Sequence, residues 1–183
     1  LSDRYVLSFF VSTSDVANYI LTYQFASNAF VVPMSFFMTL FFPKLLRMEK
    51  ELGLKQVFKE NNKVMKKYLL LAPIAVIFLF YIIREVIIVF YTKYDCNELV
   101  LVFVLISQAI LTANHFLNKK FELRNRTYYI AFIYLIGGAT NIVVNFAMIP
   151  VYGVIGAAIA TLISSLTVVL LLIIVSKLKR VRV

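Results

Sequence analysis

The stretch that decides the fold is residues 141–161, NIVVNFAMIPVYGVIGAAIAT. Two long apolar segments meet in it, and only Pro150, Tyr152 and Gly153 separate them, in a combination typical of a turn. The second segment opens with the small residues Gly156, Ala157 and Ala158. Small side chains let helix backbones approach closely. The stretch therefore predicts a tight hairpin of two membrane-spanning helices.

The composition of the whole chain agrees with this interpretation. Hydrophobic residues make up 62% of the 183 positions and charged residues 15%, which predicts an all-α integral membrane protein. A spanning helix needs roughly 20 mainly apolar residues. Five segments meet this requirement: 16–42, 68–90, 99–117, 128–149 and 154–175. A shorter apolar stub at 5–11 is expected to be the remnant of a sixth helix.

The basic residues are confined to alternate connections between these spans. Sixteen of the 19 lie in three segments: eight in 44–67, four in 119–126 and four in 177–182. The other connections, 12–15, 92–98 and 150–153, hold only Lys93. By the positive-inside rule the three basic segments and the carboxyl terminus are cytoplasmic. This pattern explains the net charge of +10 without nucleic acid as a partner.

Residues 44–67 form the longest of these connections, and apolar side chains alternate in it with lysines and glutamates. The pattern predicts an amphipathic helix on the inner headgroup surface, broken in two at Gly53. Membrane lipids are its expected partner, through a general tether or through a dedicated lipid site.

Several polar side chains fall where hydrocarbon is expected, and each is a candidate for a cavity because an unpaired charge there is costly. The candidates for a transport cavity are Asp3, Arg4, Asn18, Gln24, Asn28, Arg84, Asn141 and Asn145. Asp3 and Arg4 either pair with each other or let the guanidinium hold a phosphate. Arg84 either snorkels to the headgroups or attracts an anionic substrate. The two hairpin asparagines either bond across the helix bundle or contact the substrate.

Catalytic and metal-binding motifs are missing from the sequence. It contains no nucleophile elbow, no phosphate-binding loop and no pair of intramembrane carboxylates, and His115 has no second ligand at metal-site spacing. We therefore expect neither an enzyme nor a bound metal or other cofactor. The single Cys96 cannot form an internal disulfide.

The chain as a whole resembles the carboxyl-terminal half of polysaccharide-biosynthesis (Wzx-type O-antigen) flippases of the multidrug/oligosaccharidyl-lipid/polysaccharide exporter superfamily. The resemblance is carried by Asp3-Arg4, by Val16-Ala-Asn-Tyr19, by Phe42-Pro43-Lys44 at the end of a helix, by Pro73 and above all by residues 149–161. The chain departs from the family at residues 16–18, where Val-Ala-Asn replaces the usual Val-Gly.

This resemblance implies that the five spans are helices eight to twelve of a twelve-helix, MATE-like transporter, whose amino-terminal lobe is missing here. It implies a transporter that flips oligosaccharides linked to undecaprenyl pyrophosphate across the bacterial plasma (inner) membrane by alternating access. The implied partners are the missing lobe, the lipid-linked substrate and, as a further candidate, the polysaccharide polymerase machinery. Arg4 and Arg84 would attract the pyrophosphate or sugar acids, the amides would bond sugar hydroxyls, and Asp3 would respond to a coupling ion or proton.

Three alternatives remain open from the sequence, and one of them is a purely structural subunit that clamps a partner. Another exporter of the same superfamily, for drugs, cations or peptidoglycan precursors, would have the same fold. A membrane glycan polymerase or acyltransferase would need a large outer loop or an intramembrane acid/base cluster, and the outer connections are short.

Overall fold

The computed structural model describes residues 2–178, and within that range the chain is all-helical. The six helices are α1 (Ser2–Phe10), α2 (Thr13–Leu52), α3 (Leu54–Phe90), α4 (Glu98–Glu122), α5 (Thr127–Tyr152) and α6 (Val154–Leu178). Helices α2 to α6 are long and apolar enough to cross a membrane. The prediction of an all-α protein with five spans and a short preceding helix is therefore confirmed.

The hairpin predicted from residues 141–161 is formed by α5 and α6. Gly153 makes the turn with φ of 56° and ψ of −133°, a backbone conformation that residues other than glycine rarely adopt. Pro150 lies inside α5, so this helix extends three residues beyond the predicted end at 149. A Cβ atom on Gly156 would collide with the backbone carbonyl of Met148, which shows that the two helices approach closely here.

Helix α4 is the centre of the bundle. It packs against α2, α3 and α6 and more lightly against α5. Its buried apolar residues include Leu101, Val104 and Leu105, which join a core cluster with Tyr19 of α2 and Ile87 of α3. The short α1 packs mainly on α5 and α2. This arrangement brings the start of α1 against the hairpin and the first third of α2.

The connections gather at the two ends of the bundle in the alternation that the charges predict. At one end, which we call the basic end, the Leu45 and Val57 side chains pack with Phe116 of α4 and with Leu123, which directly follows α4. At the other end the backbone N–H of Asp95 donates to the Asn18 side chain at 3.3 Å. The basic residues Lys179, Arg180 and Arg182 lie outside the described residues.

The basic connection 44–67 differs from its prediction. Helix α2 continues through Pro43 to Leu52, although the sequence places its end at Phe42, and α3 begins at Leu54. Gly53 interrupts the two helices with φ of 75°, as predicted. The apolar side chains do not share one surface face, because Leu45 and Val57 are completely buried against protein whereas Leu46 and Leu52 are 40% and 59% exposed. Each helix therefore extends beyond its predicted span, and together they form a packed hairpin.

Candidate functional site

A buried carboxylate links α1 to α2. Asp3 is 4% exposed, and the Tyr19 hydroxyl, itself on a side chain that is 2% exposed, donates to its Oδ2 at 2.7 Å. The backbone N–H of Arg4 donates to the other carboxylate oxygen at 3.0 Å. A charge at this depth costs free energy unless it is hydrogen-bonded or has access to water. Asp3 is thus the residue in this region that most requires a functional or structural reason.

The hairpin amides Asn141 and Asn145 both lie on α5 and form a short relay that continues to α6. Asn145 is completely buried and donates to Oδ1 of Asn141 at 2.9 Å, and Asn141 donates to the Ser164 hydroxyl of α6 over a long 3.4 Å. Asn141 therefore bonds across the α5–α6 hairpin, and substrate contact by either amide stays a prediction. Oδ1 of Asn145 has no hydrogen-bond partner among the described residues, which leaves a buried acceptor next to the relay.

Asp3 and this relay border a cleft of about 260 Å³. Its lining is Asp3, Tyr23, Leu111, Tyr134, Gly137, Gly138, Asn141, Thr161, Ser164 and Val168. The polar atoms of this lining are a carboxylate, hydroxyls and an amide, without a Lys or Arg. Oxygen atoms of this kind bind a proton or a hard cation, and they also form hydrogen bonds to sugar hydroxyls.

A second, smaller pocket of about 110 Å³ lies at the end of the bundle opposite the basic end. Its lining is Asp15, Asn18, Tyr19, Thr22, Asp95, Asn97, Val100 and Val154. Tyr19 lines this pocket, and its hydroxyl donates to Asp3, which lines the cleft. The hydrogen-bonded Tyr19 and Asp3 side chains therefore lie between the two openings. This hydrogen bond is thus part of what separates them.

The two arginines predicted to attract an anion lie in different places. The Arg4 guanidinium is 5.8 Å from the centre of the Tyr23 ring, so it is next to the cleft although it is not part of the lining. Arg84 forms ion pairs with Glu98 at 2.6 Å and with Glu85 at 2.7 Å. These two carboxylates compensate its charge and tie α3 to α4 at the surface. Arg84 thus contributes to neither opening.

Gln24 and Asn28 are exposed and lie away from the cleft. With Ser35 and Thr39 they form a polar stripe along α2, since residues spaced four apart share a helix face. Ser35 and Thr39 return their hydroxyls to backbone carbonyls one turn earlier, whereas the two amides extend from the helix. Polar groups on such a face at membrane depth require water or another helix. The structure therefore separates them from Asn141 and Asn145, with which the sequence grouped them.

Four polar residues of the cleft were not among the sequence candidates: Tyr23, Tyr134, Thr161 and Ser164. Hydroxyl residues are common in spanning helices because they can bond the backbone of their own helix, as Thr161 does to Ala157 at 3.0 Å. The available signal was the spacing of Thr161 and Ser164 on the α6 face that meets Asn141.

The cleft is not the largest opening in the structure. A groove of about 380 Å³ lies between α2 and α3 around Pro33 and Ala72, with an almost entirely apolar lining. Tyr68 at its edge donates to the Ala109 carbonyl at 2.8 Å. The groove offers no group for chemistry beyond the binding of hydrocarbon.

Among the described residues no three His, Cys, Asp or Glu side chains lie close enough to hold a metal ion together. No known protein family, curated protein or solved structure matches this chain. A functional interpretation therefore depends on the residues and contacts of the chain itself.

Proposed function

We propose that this chain is part of a transporter that moves a lipid-linked oligosaccharide from the inner to the outer leaflet of a bacterial plasma membrane. The substrate class, a sugar chain on undecaprenyl pyrophosphate, and the twelve-helix MATE-like architecture come from the resemblance of residues 149–161 and Asp3-Arg4 to Wzx-type flippases. The supporting observation in the structure is the buried Asp3 carboxylate between two polar openings.

A carboxylate in this position is suited to control helix packing. Asp3 lies on α1 and accepts a hydrogen bond from α2, and the cleft that it lines is otherwise formed by α2, α4, α5 and α6. Neutralising it with a proton or a cation removes a buried charge and changes its hydrogen bonds. Such a difference between two states is what a ligand needs in order to shift a conformational equilibrium. In this proposal Asp3 couples an ion or proton to the exchange between inward and outward openings.

The remaining candidates divide the recognition of the substrate between them. Arg4, next to the cleft, provides a planar guanidinium for the pyrophosphate. Asn141 and Ser164 in the cleft, and Gln24 and Asn28 on the polar stripe of α2, provide hydrogen bonds for sugar hydroxyls. Arg84 has no role in this version of the proposal, because its charge is already paired.

The test is complementation in cells that lack the gene for the protein. Asp3→Asn keeps the size of the side chain and removes its charge, and Glu51→Gln makes the corresponding change at an exposed residue of α2 that lines neither opening. We expect Asp3→Asn to reduce surface polysaccharide strongly and to increase lipid-linked intermediate, with unchanged abundance in the membrane. Glu51→Gln should behave as wild type.

Two results would contradict different parts of the proposal. Normal polysaccharide with Asp3→Asn at normal abundance removes the coupling role of Asp3. Normal polysaccharide in the deletion strain itself removes the flippase assignment. Arg4→Ala and Arg4→Lys then separate a need for positive charge from a need for the planar guanidinium.

A second candidate, an exporter of cationic compounds, is favoured by the lining of the cleft. A carboxylate and the rings of Tyr23 and Tyr134 are suited to an organic cation. This function predicts that the deletion strain accumulates a cationic dye and that Asp3→Asn fails to reverse the accumulation. Unchanged dye content in the deletion strain excludes it.

A further inference from the structure

A narrow crevice lies at the basic end of the bundle, where α4 and α6 end and α5 begins. Its lining is Lys120, Phe121, Arg124, Arg126, Tyr129, Val175 and Ser176. Three of these seven residues are cations, and a fourth, Lys177, is close enough to Lys120 for their charges to interact. For residues 119–126 the sequence predicted only a cytoplasmic position, and the lipid tether or dedicated lipid site was predicted for residues 44–67, so a crevice between the ends of α4 and α6 is an additional finding.

The turn between α4 and α5 brings these cations together. The carbonyl of Phe121 accepts the backbone N–H of Arg124 at 3.2 Å and that of Arg126 at 2.9 Å, and Asn125 between them has φ of 54°. The turn thus folds back on the last residues of α4. Arg124 also lies with its guanidinium 5.0 Å from the centre of the Phe58 ring of α3, which fixes its position.

The positive charge of the crevice is not compensated within its lining. None of the seven lining residues is acidic. The nearest acidic residue in sequence, Glu122, pairs with Lys119 at 2.5 Å, and the Lys119 ammonium lies 4.0 Å from the centre of the Phe42 ring. Cations held together repel one another, so an anion bound here would stabilise the arrangement. Ser176 lies in the same lining, and its hydroxyl donates to the Ile173 carbonyl at 2.9 Å, so the cations are the groups that would attract an anion.

The size and surroundings of the crevice indicate the kind of anion. Its volume of about 20 Å³ admits one oxygen-sized group, so a phosphate would insert one oxygen and remain largely outside. Large apolar side chains are exposed next to it, with Tyr128 60%, Ile174 48% and Leu178 78% exposed. A phosphate that carries acyl chains would place those chains along these side chains, whereas a free phosphate would leave them uncovered.

We propose that this crevice binds the phosphate group of an anionic phospholipid. Basic pockets between helix ends at a membrane surface recognise such headgroups by charge. Lys120, Arg124 and Arg126 contact the phosphate, and the acyl chains lie along α5 and α6. The site is independent of the transport cleft and of the substrate proposed for it.

The test is lipid binding to the purified chain in detergent, measured by native mass spectrometry with phosphatidylglycerol and, in parallel, with zwitterionic phosphatidylcholine. The variant is Lys120→Gln/Arg126→Gln. Its matched control is Arg47→Gln/Lys59→Gln, which removes one Lys and one Arg from exposed positions of the same basic end. We expect phosphatidylglycerol to bind more tightly than phosphatidylcholine. The crevice variant should lose about tenfold or more in affinity for phosphatidylglycerol, since a direct hydrogen bond between charged groups contributes about tenfold or more.

The control pair should lose much less. Equal losses for the two pairs, or equal binding of both lipids to the wild type, would show that the charge acts only diffusely and would overturn the proposal. Displacement of phosphatidylglycerol by millimolar inorganic phosphate would assign the crevice to a free anion instead. Lys120→Arg/Arg126→Lys preserves both charges and should retain binding, which separates loss of charge from loss of fold. The comparison of the two lipids requires no variant, so it tests the proposal even if a variant fails to fold.

Discussion

At the scale of single residues, Gly156 and Gly138 offer a matched pair of small positions. A methyl group on Gly156 would collide with the Met148 carbonyl across the α5–α6 hairpin, whereas one on Gly138 meets no atom within 4 Å. We expect Gly156→Ala to destabilise the protein by about 1–3 kcal/mol through overpacking. Gly138→Ala should be neutral or slightly stabilising, because alanine favours a helix. Thermal unfolding in detergent measures both, and equal melting temperatures would contradict the close approach at Gly156.

The thiol of Cys96 provides a prediction about pH. Burial raises the pKa of this thiol, the Glu98 carboxylate raises it further, and the Arg84 guanidinium acts in the opposite direction. Only the thiolate reacts with a maleimide, so a raised pKa means slower labelling at a given pH and an increase that continues to higher pH. A cysteine introduced at exposed Lys93 in a Cys96→Ser background should label faster at neutral pH and level off earlier.

Glu98→Gln removes one cause of the shift and should speed the labelling of Cys96. An unchanged rate in this variant would show that the carboxylate does not act on the thiol. Labelling of unfolded protein, which should be equal for all variants, is the control for the reagent.

Single residues also show what the sequence could and could not predict. Polar side chains inside apolar spans were visible as a set, but their partners depend on which helix faces meet. Asn141 faces α6 and lines the cleft, whereas Gln24 and Asn28 point away from it, and Arg84 is paired. Ser164 became informative only once the hairpin placed it opposite Asn141.

At the scale of helices, the packed α2–α3 hairpin can be tested with two neighbouring leucines. Leu45 is completely buried and packs in the cluster with Phe116, whereas Leu46 is 40% exposed. We expect Leu45→Ala to lower the free energy of unfolding by about 2–5 kcal/mol, in the range of cavity-forming substitutions. Leu46→Ala should cost less than about 1 kcal/mol, as surface substitutions do.

The outcome distinguishes the packed hairpin from the surface helix that the sequence predicted. If the segment were a helix lying on the headgroups, each substitution would lower its affinity for the membrane. Neither would change the free energy of unfolding by much. The measurement is the melting temperature of each variant in detergent. If Leu45→Ala and Leu46→Ala lower it equally, or if neither lowers it, the packing at Leu45 is contradicted.

The boundaries of the helices also show what the pattern of apolar residues can and cannot predict. Apolar runs predicted the five spans because hydrocarbon thickness sets their length. They did not predict that α2 runs 40 residues through Pro43, since an amphipathic pattern is the same whether its apolar face meets lipid or another helix. The contacts with Phe116 of α4 decide between these, and they involve residues far apart in the chain.

At the scale of the whole molecule, the alternation of the connections predicts which side of the membrane each end faces. Asp95 and Cys96 lie at the end opposite the basic end, and the positive-inside rule places them outside the cytoplasm. The Asp95 side chain is exposed and its backbone N–H makes the contact with Asn18, so Asp95→Cys in a Cys96→Ser background should keep that contact. Gln56→Cys is the matched exposed probe at the basic end.

In intact cells a membrane-impermeant maleimide should label the cysteine at 95 and leave the one at 56 unlabelled, and permeabilisation should make both reactive. The physical reason is that translocating a connection rich in Lys and Arg is unfavourable, while the connection around Asp95 carries a single Lys. Labelling at 56 in intact cells would reverse the orientation. The crevice at the basic end would then meet the outer leaflet, and the proposed direction of transport would lose its support, although the packing of the six helices would be unaffected.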